Sequence, residues 1–173
     1  IFQNPAKIIF GRDALSHLAK EVLQHGDTVL LVYGGGSIKQ IGLYDQVMEI
    51  LHNSGVSVWE LGGIVPNPRL SRVREGIALC RRERISLVLA VGGGSVIDTA
   101  KGIVNGVPDE GDVWDFYLGL RMPKRALPLG TILTIPASGS EMSYSSVITN
   151  EDGMLKRGYN SITNVPMFSL LNP

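Results

Sequence analysis

Two stretches of the chain share one unusual shape. Val29–Gly42 reads VLLVYGGGSIKQIG and Leu87–Ile103 reads LVLAVGGGSVIDTAKGI, with Gly34 and Gly92 standing 58 residues apart. In each, a wholly apolar run meets three consecutive glycines, then a serine, then an amphipathic run. Glycine loses more backbone freedom on folding than any other residue, so a triplet is costly unless its permissiveness is used. A buried strand that ends in a glycine turn and feeds a helix uses it. Such a turn leaves unpaired N–H groups at the positive end of a helix dipole, which favours an anion and suits a pyrophosphate. A Cβ there would hold the phosphate away from the backbone.

A plainer reading competes. Ser37–Gln40 and Ser95–Asp98 each fit a capping box, in which case the turns are only well-made helix starts. Neither triplet continues into the third glycine of the G-x-G-x-x-G fingerprint. Two triplets on successive parts of one sheet favour the phosphate. Asp98 would repel a phosphate held at its own helix start, so it is expected to turn toward the reacting end of a ligand. Lys101, one turn along, reads as a solvated residue.

The rest of the chain alternates strand and helix. Strands are expected at KIIFG (Lys7–Gly11), TVLLVY, VSVWEL, ISLVLAV and LGTILTIPA. Helices are expected over DALSHLAKEVLQHG, IGLYDQVMEILHNSG, Ser71–Glu83 and Val96 to about Asn105. Spacings of about 30 residues indicate βαβ units, hence an α/β, Rossmann-like parallel sheet with flanking helices. Residues 106–128 are irregular, with Trp114, Phe116 and Tyr117 packing a loop or short helix. YSSVITNEDGMLKRGYN reads as a β-hairpin turning at Asp152-Gly153 and appended to the sheet. One domain covers 1–173. A strand followed at once by the terminus implies that the chain continues in something longer.

Sixteen basic and sixteen acidic side chains cancel, so charge gives no case for nucleic acid or an anionic membrane. Any phosphate must be held by backbone amides and a few local cations. No apolar run reaches the ~18 residues that would suggest a membrane span, and no leader pattern opens the chain, so a cytoplasmic protein is expected. Cys80 is the single cysteine, consistent with a reducing compartment. His17, His25 and His52 are expected at the surface and not as metal ligands.

The opening NPAKIIFG (Asn4–Gly11), PNPR (Pro66–Arg69), VGGGSVIDTAKGI and TIPASGSEMS (Thr134–Ser143), in that order, resemble the iron-containing alcohol dehydrogenases. The branch most resembled is the NADPH-dependent butanol dehydrogenase and aldehyde reductase type. The resemblance implies a dinucleotide-binding domain like the N-terminal domain of dehydroquinate synthase. An all-helical domain after residue 173 would hold one divalent metal, Fe or Zn. It also implies hydride transfer between NADP (or NAD) and a small alcohol or aldehyde, and a homodimer formed through the N-terminal strand.

Residue by residue, the resemblance implies that Gly93, Gly94 and Ser95 hold the pyrophosphate and that Asp98 sits near the nicotinamide ribose. Asn67 would touch the adenosine end. Thr134, Ser138, Ser143 and Ser145 would line the nicotinamide side, and Lys156 would hydrogen-bond the ribose. For Thr134 and Ser138 a locally satisfied strand-end hydroxyl is the competing reading; Glu141 is read as a helix-start acid, with a place beside the ligand as the alternative. NAD-preferring relatives carry Asp at the Gly35 position. Here Gly35 and Gly36 leave that carboxylate out, while Ser37 and Lys39 can meet a 2′-phosphate. The ordinary dinucleotide rule points instead to Glu60, about 20 residues on. Glycerol dehydrogenase-like or dehydroquinate synthase-like chemistry on the same fold, or a stand-alone nucleotide-binding module, are the alternatives.

Overall fold

The computed structural model describes residues 4–173. Its strands are β1 (Lys7–Phe10), β2 (Thr28–Gly34), β3 (Ser57–Ile64), β4 (Leu87–Gly92), β5 (Leu129–Leu133), β6 (Ser145–Asn150), β7 (Leu155–Asn160) and β8 (Phe168–Leu171). Its helices are α1 (Leu18–Leu23), α2 (Ser37–Gln40), α3 (Leu43–Asn53), α4 (Leu70–Glu83), α5 (Gly94–Gly106) and α6 (Trp114–Tyr117). Six strands form one sheet in the order β1-β8-β5-β4-β2-β3, and every pairing in it is parallel.

A parallel sheet covered on both faces leaves its central strands no polar position, which is why β2 and β4 are unbroken apolar runs. Alternation sends Leu30, Val32, Val88 and Ala90 to one face, into a core with Val73 and Ile77 of α4 and Ile97 and Ile103 of α5. Val29, Leu31, Leu87 and Leu89 go to the other, with Leu18 and Val22 of α1 and Val47 and Leu51 of α3. Glycines let α4 and α5 lie close. A Cβ on Gly76 would stand 2.7 Å from Ile103 Cγ1, and one on Gly106 would stand 2.9 Å from Ile77 Cγ1.

Several boundaries differ from the sequence reading. β3 runs on through Gly62 and Gly63 to Ile64. A short α2 precedes α3, separated from it where Gly42 takes φ 74°. A 3-10 turn, Ala14–His17, precedes α1. The hairpin is the larger correction, because β6 and β7 pair antiparallel as a sheet of their own and add nothing to the main ladder. Its second strand carries Lys156 and Arg157 and is exposed over most of its length, so it could not be covered on both faces. The hairpin is instead fastened to the PNPR loop, where Thr149 N–H donates to Pro68 O at 2.7 Å, and Ile148 enters the core.

Cys80, on the inward face of α4, sits in that core, and burial pushes its thiol up to about 12. The thiolate is the reactive form, so the native protein at pH 8 is expected to resist iodoacetamide and to label only after unfolding. Rapid labelling of the folded protein would contradict this burial.

Candidate functional site

Chain order reverses between β2 and β4, since β3 lies outside β2 while β5 lies on the far side of β4. In an open parallel sheet the crevice beyond the carboxyl ends of such strands is where ligands bind. Both glycine turns open there, side by side, with Tyr33 paired to Val91 just before them.

Gly93, in extended conformation, caps α5, and no side chain caps that helix. Val96 and Ile97 N–H both donate to Gly93 O at 3.1 Å, whereas Gly94 and Ser95 N–H have no acceptor among the described residues. Gly36 caps α2 in the same uncapped manner, at φ 134°. The capping-box expectation for Ser37 and Ser95 is therefore corrected. Both serines lie already within the first helical turn, past the cap position from which a hydroxyl accepts from the free amides that follow it. A depression of about 250 Å³ opens over Gly93–Val96, walled by Ile64, Val65 and Pro66 and by Ile135 and Ala137. A Cβ on Gly94 would lie 3.4 Å from Ser138 Oγ, so that hydroxyl stands beside the open amides. Thr134 instead lines a neighbouring cavity of about 230 Å³ with Ile41, Leu43 and Leu170, and its N–H donates to Gly92 O at 3.2 Å.

At the first turn, a Cβ on Gly35 would meet nothing within 4 Å. The Lys39 ammonium lies 4.4 Å from the Tyr44 ring centre and 5.2 Å from that of Tyr33. Both phenols donate to Glu60, Tyr33 at 2.8 Å and Tyr44 at 3.0 Å. Burial, and then this carboxylate, pushes the Tyr33 hydroxyl up to about 12. Glu60 lies within β3 opposite Leu31, with each oxygen already accepting a hydrogen bond. It is not a free acid at a strand end.

Asp98 faces the segment that joins β5 to β6. Its Oδ1 accepts from Ser140 Oγ at 2.7 Å and its Oδ2 from Val147 N–H at 3.2 Å. Burial pushes its carboxyl above the usual carboxylate range, opposed by the Ser140 hydroxyl and the Lys101 charge. Lys101 overturns its reading as a solvated residue, because it is fully buried. Its Nζ donates to Ser140 Oγ (3.1 Å), Ser143 O (2.9 Å), Ser143 Oγ (3.2 Å) and Ser145 O (2.8 Å). Ser143 and Ser145 thus turn polar atoms inward to the ammonium. Glu141 is buried in an irregular turn and starts no helix, a further correction. Asn67 and Lys156, expected at separate parts of a ligand, meet one another, with Lys156 Nζ donating to Asn67 Oδ1 at 2.9 Å. Asn67 holds a left-handed φ of 56°, which asparagine tolerates better than most residues.

Among the described residues no group of three or more His, Cys, Asp or Glu side chains could hold a metal ion. His17 and His25 are half-buried and His52 is exposed. The described residues do not fit a metal ion. No described helix is long and apolar enough to cross a membrane.

Comparison with known proteins covers the same ground. The family model for iron-containing alcohol dehydrogenases matches residues 5–173. The chain is 51% identical to the probable NADH-dependent butanol dehydrogenase 1 of Bacillus subtilis, over 99% of this chain and 44% of that protein. It is 38% identical to the NADPH-dependent aldehyde reductase YqhD of Escherichia coli, over 98% of this chain and 44% of that one. The solved structure of the NADH-dependent butanol dehydrogenase A of Thermotoga maritima superposes with a TM-score of 0.96 at 43% identity, covering 100% of this chain and 44% of that one. The chain spans less than half the length of the curated relatives it matches. Because the family match takes in both glycine turns, the PNPR loop and the hairpin together, the chain belongs to the iron-containing alcohol dehydrogenase family.

Proposed function

We propose that this chain is the cofactor-binding part of a metal-dependent oxidoreductase that moves hydride between NADP(H) and a primary alcohol or aldehyde, butanal being representative. The metal would come from a helical domain beyond Pro173. The observation that carries the reading is the uncapped pair of amides at Gly94 and Ser95, set at the start of a 13-residue helix in the switch-point crevice. In the proposed complex these N–H groups donate to the pyrophosphate, and the α5 dipole adds to their attraction. When bound, the nicotinamide supplies the hydride donor or acceptor. Residues of this chain hold and orient it, with Ser138 beside the amides and Ile135 and Ala137 lining the crevice. The same reading takes β1, an edge strand with Phe10 70% exposed, as the seam of a homodimer, and the cytoplasm as its place of work.

The relatives' names divide between NADH and NADPH, so the choice of phosphate rests on the first glycine turn. Three features favour NADPH there. Position 35 has no carboxylate, Lys39 is a nearby cation, and Glu60 is occupied by two phenols. Fluorescence titration of the full-length protein with NADPH and NADH tests both parts of the reading. Saturable binding with tighter NADPH is expected, and no binding of either would end the proposal. Gly35→Asp adds its side chain to open space, so the variant should fold. It is expected to weaken NADPH by about tenfold or more, since like-charge juxtaposition costs up to several kcal/mol and about 1.4 kcal/mol is tenfold, while sparing NADH. An unchanged NADPH/NADH ratio would mean that the phosphate is read elsewhere.

A further inference from the structure

The segment from Thr134 to Tyr144 crosses from β5 to β6 over the start of α5 without regular structure. Asn4 Nδ2 donates to Met142 O (2.9 Å), Ser169 Oγ to Glu141 O (2.6 Å) and Asn164 Nδ2 to Tyr144 O (3.0 Å), and one buried cation joins these neutral ties. The Lys101 ammonium reaches Ser140 Oγ, Ser143 O and Oγ, and Ser145 O, all at 2.8–3.2 Å, from a position with no solvent exposure. Ser140 passes the tie on, accepting from Lys101 and donating to Asp98 Oδ1 at 2.7 Å. Behind it, Asn105 Nδ2 donates to Lys101 O and to Asn164 Oδ1, both at 2.8 Å, and Tyr159 OH donates to Asn164 at 3.1 Å, anchoring the hairpin to α5. The segment so held carries Ser138, whose hydroxyl stands beside the open Gly94 amide.

A buried charge is costly, and an apolar side chain of similar volume would usually serve packing as well or better. What a protonated lysine adds is three donors on one atom. Four acceptors surround Nζ, so the ammonium can serve three of them singly and a neutral amine only two, and losing the proton takes the donor from one acceptor that had it. We infer that Lys101 is a positioning residue whose proton clasps Ser140–Ser145, the stretch directly after Ser138, against α5, and so couples dinucleotide affinity to pH. This rests on the dinucleotide reading above.

Burial pulls the Lys101 ammonium down to about 8, while the Asp98 and Glu141 carboxylates hold it up. The other titratable groups packed around it are the Tyr117 and Tyr159 phenols, both raised by burial and so uncharged through this range, and Lys156, which acts on Asp98. For the folded protein by itself the sign runs opposite to the binding effect. A lysine lowered from its ordinary 10.5 to about 8 is released early in the native state, so its contribution to stability rises between those two values. The Lys101 titration by itself therefore does not unfold the protein above pH 8, and the spectrum at each pH separates loss of affinity from unfolding by other groups.

The test is NADPH titration of the full-length protein from pH 6.5 to 9.5, with far-UV circular dichroism at each pH. Wild type is expected to keep its spectrum and to lose affinity by about tenfold across a step centred near pH 8, a coupling of ordinary size. In Lys101→Met the step should vanish, with affinity at pH 7 already about tenfold weaker, at the level wild type reaches at high pH. Should Lys101→Met fail to fold, the wild-type profile decides alone. A flat wild-type profile, or a Lys101→Met protein that binds as tightly as wild type, overturns the clasp while leaving the dinucleotide reading intact. Failure to bind NADPH at every pH overturns both.

Discussion

Gly94→Val is expected to fold normally and to lose NADPH binding by about a hundredfold. Gly94 is the first residue of α5, and a Cβ there meets only Ser138 Oγ, at the ordinary contact distance of 3.4 Å. The helix can therefore accept a side chain. What changes is access, because a branched side chain stands where a phosphate oxygen must come to reach the Gly94 and Ser95 amides. Hydrogen bonds to a charged acceptor contribute about 1.5–3 kcal/mol each, so losing one or two accounts for an effect of this size. Isothermal titration beside a thermal melt separates the possibilities. Wild-type affinity in the variant would show that the phosphate does not rest on this turn.

Gly76→Val carries the largest expected cost in stability. The α4–α5 contact is tight at this residue, where a new Cβ would come within 2.7 Å of Ile103 Cγ1 and 3.0 Å of Leu61 Cδ2. Ile103 is itself buried against β2 and β4 and cannot retreat into solvent. Overpacking of this kind costs about 1–3 kcal/mol or more, and the helix propensity recovered by replacing glycine returns less than 1 kcal/mol. A net loss of about 1–2 kcal/mol in unfolding free energy is expected, read as a lower urea midpoint, with no direct effect on the affinity of the folded fraction. A variant as stable as wild type would mean that α4 and α5 are further apart than described.

The sequence was most readable where local chemistry and tertiary surroundings make the same demand. β2 and β4 must be apolar throughout because both faces are covered, and the Asp152-Gly153 turn is written in its own residues, with Gly153 at φ 77°. Strand order was not readable in this way. β1 pairs with β8, setting Lys7 opposite Phe168, and no local pattern encodes a partner so distant. The competing capping boxes do not form because serine and glycine vie for the same helix start, and here the glycines cap.

Lys101 is the instructive miss in the site. Ile97, Lys101 and Val104 recur at the spacing of one helical face, and the first and last of them are core residues, so the inward position was visible. Its charge argued for solvent, and the acceptors that reverse that preference lie 39 to 44 residues further on. Glu141 was misjudged for the same reason, since its surroundings are set by that segment and not by its neighbours in sequence.

A crystal structure of the full-length protein with NADPH measures the central claim most directly. The account predicts pyrophosphate oxygens at hydrogen-bonding distance, about 2.7–3.2 Å, from the Gly94 and Ser95 nitrogens. A dinucleotide bound with its phosphates away from the start of α5, those two amides facing water, would contradict it.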